Sequence, residues 1–107
     1  MRFAVLMGLL LSTNVLAADY LIDVREPNEY AEEHAKHAIN IPHEQIVEGV
    51  KKHNFQKDDQ LYVYCRTGKR ASMAKDALNK EGFQKVEVVG GWLGVQDGLK
   101  ARDLFQK

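Results

Sequence analysis

The stretch "QLYVYCRTGKRASMAKDALNKEGF", Gln60 to Phe83, contains a strand, a loop and a helix in one span. Leu61 to Tyr64 is an apolar run of strand length. Beyond it, Ala71, Ala74, Ala77 and Leu78 share one helical face, and Lys75, Asp76, Asn79 and Lys80 the other. Gly82 stands where a left-handed helix cap is expected, with Phe83 placed to fold back on the last turn. Between strand and helix come Cys65, the cations Arg66, Lys69 and Arg70, and Gly68. A strand that turns through a short glycine-bearing loop into a helix is the building unit of a parallel α/β sheet.

The rest of the chain repeats the alternation. "YLIDV" at Tyr20 to Val24, "INIP" at Ile39 to Pro42 and "VEVV" at Val86 to Val89 are the other strand candidates. A helix is expected to begin at Pro27, a residue suited to the first turn, and to run through "NEYAEEH". Another is expected from His43 to about Lys52, burying Ile46, Val47 and Val50. Its acids Glu44 and Glu48 come early and its lysines Lys51 and Lys52 late, as the helix dipole favours. "NFQKDDQ" reads as a polar connector, Gly90 and Gly91 as a tight turn, and the tail after Gly98 as a short helix.

The first residues, "MRFAVLMGLLLSTNVLAADY", carry one cation, an apolar stretch from Phe3 to Leu11 and small residues behind it. This is a signal-peptide pattern, with cleavage expected after Ala17 or Ala18. The apolar stretch is well short of the ~20 residues that cross a bilayer. The expected organisation is a signal peptide over residues 1–18 and one domain over 19–107, exported and not held at a membrane. Fewer than about 100 residues do not divide into two cores.

Fifteen basic and fifteen acidic residues balance over the whole chain, and losing Arg2 with the signal leaves a formal charge of −1. That balance gives no general attraction to nucleic acid or to an anionic membrane, so a strong positive field must be local. One cysteine in an exported chain forms no internal disulfide and has no resolving thiol beside it.

Cys65 therefore decides the chemistry. It lies at the carboxyl end of a strand, the edge at which parallel α/β sheets bind ligands. Backbone amides from Arg66 to Arg70 are expected to converge there as the helix begins, with Gly68 allowing the turn. An unperturbed thiol titrates near ~8.5, and helix N-termini with nearby cations bring it to ~3.5–7.5. A two-unit drop needs about 2.7 kcal/mol. A helix end supplies ~1 kcal/mol, and a cation ~4 Å away, in an effective dielectric of ~20, up to ~4 kcal/mol. Cys65 is thus expected to be a thiolate nucleophile. The competing reading, a small apolar residue closing a strand, leaves the three adjacent cations without a purpose.

"CRTGKR" resembles the active-site loop of the rhodanese-like sulfurtransferases. "DVREPNEYAEEHAKHAINIP" is similar to that family's amino-terminal motif and "VEVVGGW" to its carboxyl-terminal one, so that the likeness covers about Tyr20 to Asp97. The resemblance implies a single α/β domain with an about five-stranded parallel sheet flanked by helices. It implies a double displacement in which Cys65 takes the outer sulfur of thiosulfate as a persulfide and passes it to cyanide or a thiol. Arg66, Thr67, Gly68, Lys69 and Arg70 would bind the donor, with no cofactor and no metal, and the exported single-domain form resembles periplasmic members of the family. A monomer acting on small molecules is expected, although no residue pattern reads out the oligomeric state. Asp23 and Arg25 are expected to form a structural ion pair supporting the loop. Glu33 and His37 depart from the family pattern, standing where glycine is common, and Ala35 replaces a larger aliphatic residue.

Two other classes compete. Cysteine phosphatases and arsenate reductases use a similar loop with one more residue before the arginine; here four residues separate Cys65 from Arg70 and Ala71 follows. A rhodanese-fold binding or sulfur-carrier module is the non-enzymatic alternative, although such modules often lack the cysteine. His34 and His37 have one-turn spacing but no third or fourth metal ligand, and read as surface or hydrogen-bonded histidines. Trp92 reads as core packing.

Overall fold

The computed structural model describes residues 16–90. Within them the chain runs β1 (Asp19–Asp23), α1 (Pro27–Glu32), β2 (Ile39–Asn40), a 3-10 turn (His43–Gln45), α2 (Ile46–Lys52), β3 (Gln60–Tyr64), α3 (Lys69–Lys80) and β4 (Val86–Val88). The four strands form one parallel sheet in the order β2-β1-β3-β4. Its centre is the β1–β3 pair, with Ile22 opposite Val63 and Asp23 opposite Tyr64. Four of the about five strands expected fall among the described residues; the turn at Gly91, Trp92 and the tail helix after Gly98 lie outside them.

Strand alternation divides the core in two. On one face Ile22, Val24, Leu61, Val63 and Cys65 pack with Ile46 and Val50 of α2 and with Ala71, Ala74 and Leu78 of α3. On the other, Leu21 and Tyr64 pack with Ala35 and Ala38, and Tyr30 of α1 leans on them. The central strands are therefore apolar on both faces, as a covered parallel sheet requires. Val47, expected in the core, is only partly buried against it.

Element ends differ from the sequence expectation for local reasons. Helix α3 starts at Lys69, two residues before Ala71, because Gly68 takes φ 99° and caps it. Its far end is as expected: Gly82 has φ 100°, and the Phe83 amide returns to the Leu78 carbonyl at 3.0 Å. Helix α1 stops at Glu32 and does not reach His34, since Glu33 is extended at φ −168°. The Glu33 carbonyl accepts from Arg25 Nη2 at 2.6 Å, which holds the chain out of the helix. The expected helix from His43 begins as a 3-10 turn, and the α-helix proper starts at Ile46.

Two family departures now separate physically. Glu33 is in ordinary extended backbone, whereas His37 has φ 68°, a left-handed conformation in which glycine is the unstrained residue. Ala35, on the α1 face, is 4% exposed and uses its amide to donate to the Tyr64 hydroxyl at 3.0 Å.

Candidate active site

The β3 ladder ends at Tyr64, and Cys65 is the first residue beyond it. The loop is only Arg66, Thr67 and Gly68, because α3 begins at Lys69. Its left-handed glycine turns the Gly68 N–H back onto Cys65 Sγ at 2.9 Å. The Lys69 amide turns instead to Thr67 Oγ1, a long contact of 3.5 Å. So within the span expected to converge on sulfur, Gly68 makes the close approach and Lys69 does not point the same way. Gly90, following β4, packs against the loop; a Cβ on Gly68 would come within 3.9 Å of its carbonyl carbon.

The sulfur is enclosed. Cys65 has 0% exposed surface and belongs to the same cluster as Val63 and Ala71. Around it the loop opens to solvent: Arg66, Thr67 and Lys69 are exposed, and Gly68 and Arg70 are half-buried.

The cations are not simply presented to a ligand. Glu29, in the first turn of α1, takes Arg70 in a two-pronged pair, Nη1 to Oε1 at 2.8 Å and Nη2 to Oε2 at 3.2 Å. Arg66 Nη1 also lies 3.6 Å from Glu29 Oε2. Oε1 additionally accepts the Glu26 amide at 2.9 Å, which ties the carboxylate to the start of its own helix. The hydrogen bonds from Arg70 hold the Glu29 carboxyl far below its usual value, at about 2. The same pair raises the Arg70 guanidinium, and Cys65 adds a smaller electrostatic contribution in that direction. The sequence reading missed Glu29. The available clue was an acid in the first turn of the helix that leaves β1 at the same sheet edge as Cys65.

Asp23 and Arg25 form a buried pair, Nη2 to Oδ2 at 2.8 Å. Asp23 accepts further from the Arg25 amide, from Arg25 Nε, and from the Tyr64 hydroxyl at 2.7 Å. Hydrogen bonding to Asp23 raises the Arg25 guanidinium, and burial pushes the Tyr64 phenol up. Asn40 Nδ2 donates to the carbonyls of both Asp23 and Arg25, fastening the end of β2 to the same corner. The group thus braces the strand end from the face opposite Cys65.

The histidines take separate roles. His34 stacks on Tyr30 with ring centroids 3.7 Å apart, and its Nδ1 meets the Tyr30 carbonyl at 2.7 Å. His43 stands at the carboxyl edge after β2, its amide donating to the Val24 carbonyl at 3.0 Å. Its Nδ1 is buried without a hydrogen-bond partner among the described residues. No group of three or more His, Cys, Asp or Glu among the described residues is placed to hold a metal ion. No helix among them is long and apolar enough to cross a membrane.

Residues 8–97 match the family model described as the rhodanese-like domain. The chain is 39% identical over 85 residues to the Escherichia coli thiosulfate sulfurtransferase PspE, covering 79% of this chain and 82% of that protein. It is 33% identical over 90 residues to the Arabidopsis thaliana chloroplastic thiosulfate sulfurtransferase 16, covering 73% and 74% respectively. Among solved structures, a rhodanese with anions from E. coli superposes with a TM-score of 0.68 at 37% identity, covering 71% of this chain and 89% of that one.

Proposed function

This chain belongs to the rhodanese-like domain family, and from that premise we propose that it is a thiosulfate sulfurtransferase working through a persulfide on Cys65. The observation that carries the reading is the sulfur at the carboxyl edge of the sheet, receiving the Gly68 amide at the N-terminus of α3. In the first step the Cys65 thiolate attacks the outer sulfur of thiosulfate. An S–S bond forms to Cys65, the S–S bond of thiosulfate breaks, and sulfite leaves with the electron pair. In the second step an acceptor such as cyanide attacks the terminal sulfur, leaving as thiocyanate and restoring the thiolate. No net oxidation occurs and no further reactant is consumed.

Each loop residue has a part in this reading. The Gly68 amide stabilises anionic sulfur before and after transfer. Lys69, exposed at the helix start, and the Arg66 and Arg70 guanidiniums attract the sulfonate end of the donor. Thr67 contributes its hydroxyl at the loop rim, and Asp23 with Arg25 positions the strand end without touching the donor. Cys65 has no exposed surface, so in this reading a donor needs local opening to reach it, and the exposed Arg66–Thr67 rim is the proposed route.

That burial also supports a second reading, a rhodanese-fold binding module in which Cys65 is a core residue. Intact-mass measurement decides between them. Incubation with thiosulfate is expected to add one sulfur atom to the protein, and Cys65→Ser to add none and to lose thiosulfate:cyanide turnover. Absence of the added sulfur while Cys65 still alkylates under the same conditions refutes the enzyme reading in favour of the module.

For export we propose that the signal is residues 1–17, one residue shorter than expected from sequence, with cleavage after Ala17. Ala18 is built into the fold: its amide donates to Oδ1 of buried Asp59 at 2.9 Å, and its carbonyl accepts from the Gln60 amide at 2.9 Å. Cleavage one residue later discards both bonds. The mass of the exported protein is expected to begin at Ala18; one beginning at Asp19 refutes the assignment.

A further inference from the structure

Glu29 is an acid at a site that the sequence led us to regard as purely cationic. Its carboxylate engages Arg70 through two contacts and lies 3.6 Å from Arg66, so two of the three loop cations have a negative partner before any donor arrives. The Glu29 side chain is only 17% exposed, and its link to the Glu26 amide keeps it on that corner. An incoming anion attracted to the outer side of these guanidiniums meets a fixed negative charge one fork away. Such a charge repels a dianion twice as strongly as a monoanion at the same place.

We propose that Glu29 is a donor-selectivity residue that handicaps doubly charged sulfur donors relative to singly charged ones such as thiosulfonates and persulfides. This rests on the sulfurtransferase reading for its biological meaning, while the anion selectivity itself stands independently. Glu29 touches neither sulfur nor donor; it acts through Arg70 and Arg66. For an anion taken to sit on the far side of the guanidiniums, roughly 7 Å from the Glu29 charge, in a dielectric nearer water than protein interior, that charge alters monoanion binding about threefold and dianion binding about tenfold.

The test uses non-reactive anions first. Sulfate and methanesulfonate are titrated into the reduced protein at low ionic strength, following the Gly68 and Lys69 amides by NMR. In E29Q, sulfate is expected to bind about tenfold tighter and methanesulfonate about threefold tighter than in the wild type, with the gap shrinking at high salt. Glu29→Ala repeats the neutralisation with a different side-chain size, and Glu29→Asp, which keeps the charge, is expected to stay within about twofold of wild type. Equal factors for the two anions, or weaker binding in both neutral variants, overturn the proposal and leave Glu29 as a scaffold for Arg70. In turnover with cyanide, the KM for thiosulfate is expected to fall about tenfold and that for methanethiosulfonate about threefold, with kcat within about twofold. If the wild type turns over neither donor, the sulfurtransferase reading fails, and the sulfate and methanesulfonate titrations still decide the role of Glu29.

Discussion

Replacing Tyr64 by Phe separates what holds this fold from what does its chemistry. The hydroxyl, on a residue with 0% exposure, donates to Asp23 Oδ2 at 2.7 Å and accepts from the Ala35 amide at 3.0 Å. Losing a hydrogen bond to a carboxylate costs about 1.5–3 kcal/mol, and leaving a buried amide without a partner costs about 1–3 kcal/mol. Allowing for partial relaxation, we expect a loss of about 3 kcal/mol, a large share of the ~5–15 kcal/mol that stabilises a typical domain. Urea unfolding followed by circular dichroism reads it: with a slope of about 1 kcal/mol/M for so small a protein, the midpoint falls by about 3 M. Thiosulfate:cyanide activity without denaturant is expected to remain within about twofold of wild type, because Tyr64 packs on the α1 face while Cys65 lies on the face covered by α2 and α3. Asp23→Asn, which removes the carboxylate charge paired with Arg25, itself buried at 3% exposure, is expected to cost about 3–5 kcal/mol. An unmoved midpoint in Tyr64→Phe, or lost turnover at unchanged stability, refutes the assignment of this corner as structural.

Gly68→Ala forces a Cβ onto a backbone at φ 99°, at a cost of about 1–2 kcal/mol, and shifts the amide from Cys65 Sγ; chemical denaturation and kinetics should show both that loss and an at least tenfold fall in kcat/KM. Gly49→Ala drives its Cβ into Cγ2 of buried Ile41; about 1–3 kcal/mol of overpacking is expected, seen as a Tm lowered by about 4–8 °C per kcal/mol. The Glu29 carboxyl, held from 4.5 down to about 2 in the fold, stabilises the native state fully above its unfolded value and progressively less as pH falls from about 4.5 towards 2. At about 1.36 kcal/mol per unit the depression amounts to roughly 3 kcal/mol, which solvent screening of the part-exposed Arg70–Glu29 pair reduces to about 1 kcal/mol. Unfolding free energies measured down this acid limb should show that loss in the wild type and not in Glu29→Gln; identical limbs refute it.

Most of the architecture was legible because it depends on short-range pattern. Apolar runs of strand length, the helical spacing of Ala71, Ala74 and Leu78, and Gly82 beneath Phe83 are local preferences that the tertiary structure reinforces. Element ends were less legible where a distant group overrides the local one: α1 stops short because Arg25 captures the Glu33 carbonyl. The loop chemistry was half legible. A lone cysteine followed by cations and a glycine between strand and helix is a sequence property, and so was the expectation of an Asp23–Arg25 pair. That Arg70 and Arg66 would face Glu29 was not, because their separation of about 40 residues is bridged only when β1 and β3 pair and bring α1 and α3 to one sheet edge. Nor does sequence reveal how deeply the sulfur lies: a residue at the end of a strand is exposed or enclosed according to what packs over it, and here the helices enclose Cys65 completely. Sequence alone therefore determined which chemical groups stand together in the loop between β3 and α3. The tertiary structure decided which of their charges are already balanced, and how deeply the sulfur is buried, because charge pairing and burial depend on distances that only the folded chain sets.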